Sequence, residues 1–212
     1  KVASEAAVDA LGSDDRAALL TFAGATRLRS NWGEARGGLR TAIQVVEAGG
    51  STSLFDAIFT AFTLRDTAPG RRNLIVLFSD GADTASWLPE HAVFDKARQT
   101  DAVVYCVALG SRTPSGALQF RSGIQLRDVQ QPPLFESKPF LQELAETTGG
   151  SAFVARNADG LRATFTRIVT EFRSRYLLTY TPEGVGGAGW HPIEVKLKAK
   201  KGRITARRGY DR

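Results

Sequence analysis

The chain has 212 residues, of which 42% are hydrophobic and 24% charged, and its formal net charge is +6. These values are ordinary for a globular protein and exclude wholesale disorder and a collagen-like sequence. The length suits one large domain, or one domain with an appendage. The longest strongly apolar runs, 74–78 and 102–109, are far shorter than the roughly 20 residues of a membrane helix, so we expect no membrane span.

Helical and strand patterns alternate along the first three quarters of the chain. Apolar spacing of about 3.6 residues predicts helices over 1–11, 39–46, 51–64, 89–100, 140–148 and 160–172. Apolar runs predict strands over 17–23, 73–78, 103–109 and 151–155. This alternation favours an α/β fold, with a doubly wound, mostly parallel, Rossmann-like sheet and helices on both faces.

Residues 175–212 have a different pattern and predict a C-terminal β-strand appendage. We expect strands over 175–180, 192–199 and 203–208, because residues 195–200 alternate between apolar and basic. The domain prediction is an α/β domain over 1–174 and a β extension over 175–212, packed on or beside it. The basic residues of this tail suit a solvated edge strand, and no aromatic residues are interleaved with them. We therefore predict no nucleic-acid partner.

Three further features bear on the context of the chain. Residues 111–137 are long, polar and rich in Pro and Gly, which predicts an insertion loop. The single cysteine, Cys106, lies in an apolar run and is expected to be a buried structural thiol. The chain contains no Met and its first residue already lies in a helical pattern. We therefore expect an excerpt of a longer protein, with any address signal upstream.

Two polar clusters are candidates for chemistry. Gly49-Gly-Ser-Thr-Ser53 precedes a helix, and Ser79-Asp-Gly-Ala-Asp-Thr84 follows a buried strand. Ligands of open parallel sheets bind at the carboxyl ends of strands, so Asp80 should lie in that crevice. The hydroxyl of Thr52 and the carboxylate of Asp80 suit a hard divalent cation such as Mg²⁺. Each also has a structural alternative, an Asx turn for Asp80 and a helix N-cap for Thr52.

The order of these motifs resembles a von Willebrand factor type A domain. Three segments carry the resemblance: 49–58 (Gly-Gly-Ser-Thr-Ser-Leu-Phe-Asp-Ala-Ile), 74–83 (Leu-Ile-Val-Leu-Phe-Ser-Asp-Gly-Ala-Asp) and 144–153 (Leu-Ala-Glu-Thr-Thr-Gly-Gly-Ser-Ala-Phe). Two segments near the end of the chain also fit a known pattern. Residues 175–180 (Arg-Tyr-Leu-Leu-Thr-Tyr) and 204–210 look like the C-terminal extension of a bacterial subgroup of this family that is common in acidobacteria.

The resemblance implies a metal-ion-dependent adhesion site that holds Mg²⁺, or Mn²⁺ or Ca²⁺ in its place. In the family an Asp-x-Ser-x-Ser loop, a Thr and a further Asp hold the cation, and Thr52 and Asp80 match the last two. Four further candidates would surround these ligands or line the rim of the site, namely Ser51, Ser53, Ser79 and Asp83. No Asp-x-Ser-x-Ser sequence precedes the first helix. We expect that loop and the first strand to lie before Lys1.

The function implied by the resemblance is recognition without turnover. A protein ligand would contribute an acidic side chain to the cation, which predicts an adhesion or protein-binding module and no enzyme. Two alternatives stay open. The first is a structural assembly module that needs no metal. The second, less favoured, is a metal-dependent hydrolase or phosphotransfer enzyme, for which only Asp83 lies near Asp80 as a further carboxylate. By analogy we expect an extracytoplasmic location, whether periplasmic, secreted or on the cell surface.

Overall fold

The computed structural model describes residues 2–47, 49–64, 71–109, 139–155, 157–178, 181, 186–198 and 204–211. Within these residues the helices are α1 Val2–Ala10, α2 Arg36–Gln44, α3 Leu54–Thr63, α4 Glu90–Gln99, α5 Pro139–Thr147 and α6 Ala158–Arg173. The strands are β1 Leu19–Phe22, β2 Thr26–Ser30, β3 Leu74–Phe78, β4 Val103–Leu109, β5 Ala152–Ala155, β6 Trp190–Pro192 and β7 Gly209–Asp211.

A parallel sheet forms the centre of the fold, in the order β3-β4-β5. Successive β4 side chains point to opposite faces, as they must in a strand. Val104, Cys106 and Ala108 enter a core with α3, α4 and α5, whereas Tyr105 and Val107 enter a second core with α6. Helices therefore cover both faces of the sheet, and the predicted doubly wound α/β class is confirmed.

β1 forms an antiparallel hairpin with β2, and together they make a second, two-stranded sheet. The sequence predicted one strand over 17–23 and missed β2, since Thr26–Ser30 contains three residues that are exposed and little apolar alternation. β3 is entirely apolar, which is typical of a strand with neighbours on both sides. In the described part of the chain β3 pairs with β4 alone, and most of its side chains are only half-buried.

The predicted strands of the tail are wrong in position. Residues 175–178, 193–197 and 204–208 form no strand, and the antiparallel pair is Trp190–Pro192 with Gly209–Asp211. A period-two pattern forms a strand only where one face can be buried, whereas Val195 and Leu197 remain 38% and 52% exposed. The predicted insertion loop over 111–137 lies outside the described residues.

The β6–β7 hairpin lies against the end of α4. Arg207 donates hydrogen bonds to the carbonyl oxygens of Arg98, at 2.7 Å, and Thr100, at 3.1 Å. The Arg98 guanidinium lies 5.5 Å from the centre of the Trp190 ring. These contacts fasten part of the tail beside the α/β unit.

Cys106 is fully buried, as predicted, and this burial raises the pKa of its thiol. A buried polar residue, Thr148, joins α5 to the sheet: its hydroxyl oxygen accepts a hydrogen bond from the Val104 N–H at 2.9 Å and donates to the carbonyl oxygen of Ala145. Among the described residues, no helix combines the length and the apolar character needed to cross a membrane.

Candidate metal and ligand site

The two predicted loops meet at the carboxyl end of β3. The Thr52 carbonyl oxygen accepts hydrogen bonds from the N–H groups of Thr84 (2.8 Å) and Ala85 (3.0 Å). In return, the Thr52 N–H donates to the Thr84 hydroxyl at 2.8 Å. The loop that carries Thr52 is thus fastened to the loop that begins with Asp80, although the two are separated by α3 and β3 in the chain.

Asp80 is exposed and forms the Asx turn that the sequence offered as its structural alternative. Its Oδ1 accepts a hydrogen bond from the Ala82 N–H at 3.0 Å. The Ser79 hydroxyl oxygen accepts from the Gly81 N–H at 3.0 Å, and Gly81 adopts a φ of 83°, which favours glycine. The turn engages one carboxylate oxygen of Asp80 in the described residues, so it is compatible with a ligand at the other oxygen.

The three hydroxyl residues before α3 have different environments. Ser53, and not Thr52, occupies the N-cap position of α3, and it forms no side-chain cap bond. Its hydroxyl instead donates to the Ala23 carbonyl oxygen at 2.8 Å, which ties α3 to the end of β1. Thr52 is half-buried, and within the described residues its hydroxyl makes no hydrogen bond; Ser51 is exposed. The N-cap alternative for Thr52 is therefore wrong.

Asp83 caps the N-terminus of α3, although it lies 29 positions after Leu54 in the chain. Its Oδ1 accepts hydrogen bonds from the N–H groups of Leu54 (2.7 Å) and Phe55 (3.2 Å) and from the Ser86 hydroxyl (2.5 Å). Partial burial opposes ionisation, but the Ser86 and backbone hydrogen bonds outweigh it and hold the pKa of the Asp83 carboxyl below its ordinary value. The sequence predicted Asp83 only as a residue that surrounds the two ligands or lines the rim of the site.

Asp56, on α3, binds the loop that carries Asp83. Its two carboxylate oxygens accept hydrogen bonds from the N–H groups of Trp87 (3.1 Å) and Leu88 (3.0 Å). The sequence indicated only that an acidic residue in the first turn suits the helix dipole. A carboxylate from α3 thus holds the 83–89 loop, while a carboxylate from that loop holds α3. No local sequence signal could have revealed this exchange, because the partners are about 30 positions apart.

The donor set at this end of the sheet fits a hard divalent cation in its chemistry. Thr52 and Asp80 supply a hydroxyl and a carboxylate oxygen, and Mg²⁺ is often bound by one or two carboxylates while it keeps several waters. In the part of the chain that the structure describes, no cluster of three or more His, Cys, Asp or Glu side chains could hold a metal. Thr52 and Asp80 stay the two predicted oxygen ligands, and the hydrogen bonds described above bring the loops that carry them together.

Comparison with known proteins agrees with the observed fold. Residues 1–82 match the family model of the von Willebrand factor type A domain. The match covers less than half of the chain, and the fold of the described residues is the one found in von Willebrand factor type A domains. Such domains commonly mediate protein interactions, are generally not enzymes, and often bind a divalent metal. The narrower resemblance to an acidobacterial subgroup stays a prediction.

Three solved structures share the fold at low sequence identity. A von Willebrand factor type A protein from Catenulispora acidiphila has a TM-score of 0.60 and 17% identity over 79% of this chain, which spans 36% of that protein's length. The protein BatB from Bacteroides thetaiotaomicron has a TM-score of 0.59 and 17% identity, with 82% of this chain and 86% of that chain covered.

An aerotolerance-related membrane protein from Bacteroides fragilis has a TM-score of 0.58 and 18% identity, with 80% and 85% of the two chains covered. At these identities the likeness concerns the fold alone. No curated protein sequence matches the chain.

Proposed function

We propose that this chain is a protein-binding module that recognises an acidic side chain of its partner through a divalent cation held near Thr52 and Asp80. The observation that carries the proposal is the hydrogen bonding between the Thr52 backbone and Thr84, which fastens the two loops together. Mg²⁺ is the favoured ion, with Mn²⁺ or Ca²⁺ as substitutes, because both ligands are hard oxygen donors.

The chain's own residues would prepare the loops for recognition. Thr52 and Asp80 would hold the cation, which when bound supplies an open coordination position for a carboxylate. Asp83 and Asp56 cross-link α3 with the 83–89 loop, so the backbone around both ligands is fixed before binding. Pre-organisation of this kind favours affinity because less conformational freedom is lost on association.

Calorimetric titration of MgCl₂ and MnCl₂ into the purified chain tests the metal. We expect a saturable heat that Asp80→Ala abolishes and Thr52→Val weakens. Asp95→Ala removes another exposed carboxylate, one that pairs with Arg98 on α4, and should leave the heat unchanged. Identical heats for the wild-type chain and Asp80→Ala would refute the metal site.

A metal-independent assembly module is the second candidate function. It is favoured by the observation that the described residues bring no three His, Cys, Asp or Glu side chains together. Partner binding that persists undiminished in excess EDTA would support this function over the first. A hydrolase or phosphotransfer function is the weakest candidate, since Asp83, the nearby carboxylate it would need, is already occupied by hydrogen bonds to α3.

We also propose the two-part organisation and the extracytoplasmic location expected from the sequence. Limited proteolysis should cut near residue 175 and leave a folded α/β unit if the β extension is a separate appendage. The location draws support only from a similar fold in a protein described as an aerotolerance-related membrane protein. Fractionation of cells that carry a tagged full-length protein tests the location, and recovery solely in the cytoplasm would contradict it.

A further inference from the structure

Trp87 is 95% exposed although the backbone around it is firmly held. The Asp56 carboxylate accepts hydrogen bonds from the N–H groups of Trp87 and of the next residue, Leu88. The preceding Ser86 donates its N–H to Asp83 at 3.3 Å. The indole therefore projects from a fixed loop. Because the backbone is already ordered, a partner that covers the indole has only the side chain to immobilise, and Trp is among the residues enriched at interaction hot spots.

Elsewhere this chain covers aromatic rings with its own arginines. Four guanidinium groups lie over rings at 4.9–5.5 Å from the ring centre. These pairs are Arg72 with Phe172, Arg98 with Trp190, Arg167 with Phe153 and Arg175 with Tyr105. The Trp87 ring has no such cation over it among the described residues, which leaves its negative π-face available to one from outside.

The described segments next to Trp87 carry negative charge, in a chain that is positive overall. Residues 51–64 and 73–94, which comprise α3 with the loop before it, β3, the loop after it and the start of α4, contain no Lys or Arg. They contain four carboxylates, Asp56, Asp80, Asp83 and Glu90. Glu90 is exposed at the start of α4, three positions after Trp87. A partner complementary to this surface carries positive charge.

We propose that Trp87 docks an arginine side chain of a protein partner, with the guanidinium flat on the indole and Glu90 as its nearby counter-charge. Arginine is favoured over lysine because a planar, weakly hydrated guanidinium stacks on an aromatic face, whereas an ammonium is a strongly hydrated point charge. This contact goes beyond the proposed function, since it requires no metal and does not involve Thr52.

The test follows the indole N–H signals of the chain, labelled with ¹⁵N at its tryptophans, by NMR in the presence of EDTA. The three tryptophans give three indole signals, and Trp87→Phe identifies the signal of Trp87. The probe is the peptide acetyl-Gly-Arg-Gly-Arg-Gly-amide. We expect a saturable shift of the Trp87 signal while those of Trp32 and Trp190 stay in place. A peptide with citrulline for arginine, which keeps the shape and loses the charge, should bind at least about tenfold more weakly.

Variants separate the proposed contact from general attraction to an acidic surface. Glu90→Gln should weaken binding of the Arg peptide about fivefold. Asp95→Asn, which removes a carboxylate on the same helix, should change the affinity for that peptide less than twofold. Trp87→Ala should abolish binding of the Arg peptide, which is followed in this variant through the chemical shifts of other residues. The melting temperature should not fall, because the Trp87 side chain is exposed. Tyr176→Ala, which removes another aromatic side chain with 92% exposure, should have no effect.

Three results would overturn the proposal: equal shifts with the citrulline peptide, parallel shifts at Trp190, or unchanged affinity in Trp87→Ala. Because EDTA is present throughout, the outcome is independent of the calorimetric test at Asp80. No Mg²⁺ heat from the wild-type chain, together with binding of the Arg peptide, would refute the metal site alone. A Mg²⁺ heat without binding of the Arg peptide would refute only the arginine contact.

Discussion

Replacement of Asp83 by alanine removes the cap of α3, and the structure fixes how much stability should be lost. The Asp83 carboxylate accepts hydrogen bonds from Leu54 and Phe55, 29 and 28 positions away, and from the Ser86 hydroxyl. Ser53, at the N-cap position, provides no side-chain replacement. The alanine variant therefore leaves the Leu54 N–H without a side-chain acceptor, whereas the N–H groups of Phe55 and Asp56 still have the Ser86 hydroxyl oxygen, at 3.0 and 3.2 Å.

The magnitude follows from two contributions. Loss of an N-cap costs about 0.5–2 kcal/mol, and an unpaired N–H in a buried position costs about 1–3 kcal/mol. Leu54 is fully buried, so the second contribution applies to its N–H. Asp83 is itself partly exposed, and water replaces some of the lost bonds. We expect a decrease of about 2–3 kcal/mol in the free energy of unfolding, which for a chain of this size is a fall of about 5–10 °C in melting temperature.

Urea denaturation followed by circular dichroism measures this change at pH 7. Asp83→Asn, which keeps one acceptor oxygen, should lose about 1 kcal/mol. Asp95→Ala removes a carboxylate from an exposed ion pair and should lose less than about 0.5 kcal/mol. A free energy of unfolding for Asp83→Ala within 0.5 kcal/mol of the wild-type value would refute the assignment of Asp83 as the cap.

Three further predictions concern the core and the pH dependence of stability. Gly150→Ala should destabilise the chain by at least about 3 kcal/mol in urea denaturation, because a Cβ would lie 1.7 Å from the Val104 carbonyl oxygen; a smaller loss would mean that the backbone can move away. Thr148→Val should cost about 1–3 kcal/mol by the same measurement, because the Val104 N–H loses its buried acceptor, and wild-type stability would contradict this. Hydrogen bonds hold the folded-state pKa values of Asp83 and Asp15 below the ordinary value of an aspartate. The ionised forms therefore stabilise the fold above that ordinary value, and the stabilisation is lost as the pH falls through the lowered pKa values. Urea midpoints at pH 7, 4 and 3 should decrease in that order, and by less in Asp83→Asn.

The position of the candidate site was predictable because its two loops are marked locally. Leu74–Phe78 is a continuous apolar run that ends at Ser79 and Asp80, and the apolar stripe of α3 begins directly after Thr52 and Ser53. Polar residues at the end of a buried parallel strand must lie at the edge of the sheet where ligands bind. The sequence alone therefore placed Thr52 and Asp80 at element ends, and it gave the α/β class through the alternation of period 2 and period 3.6.

The supports of that site were decided only by tertiary structure. Asp83 and Asp56 each carry out their roles through N–H groups about 30 positions away, and neither residue type nor spacing distinguishes such a carboxylate from a solvated one. The same reason explains the errors: β2 exists because β1 pairs with it, whereas the alternating tail residues 193–197 form no strand. A pattern of side chains indicates which face of a strand or helix could be buried, but whether that face is buried depends on the surface that the rest of the folded chain places against it.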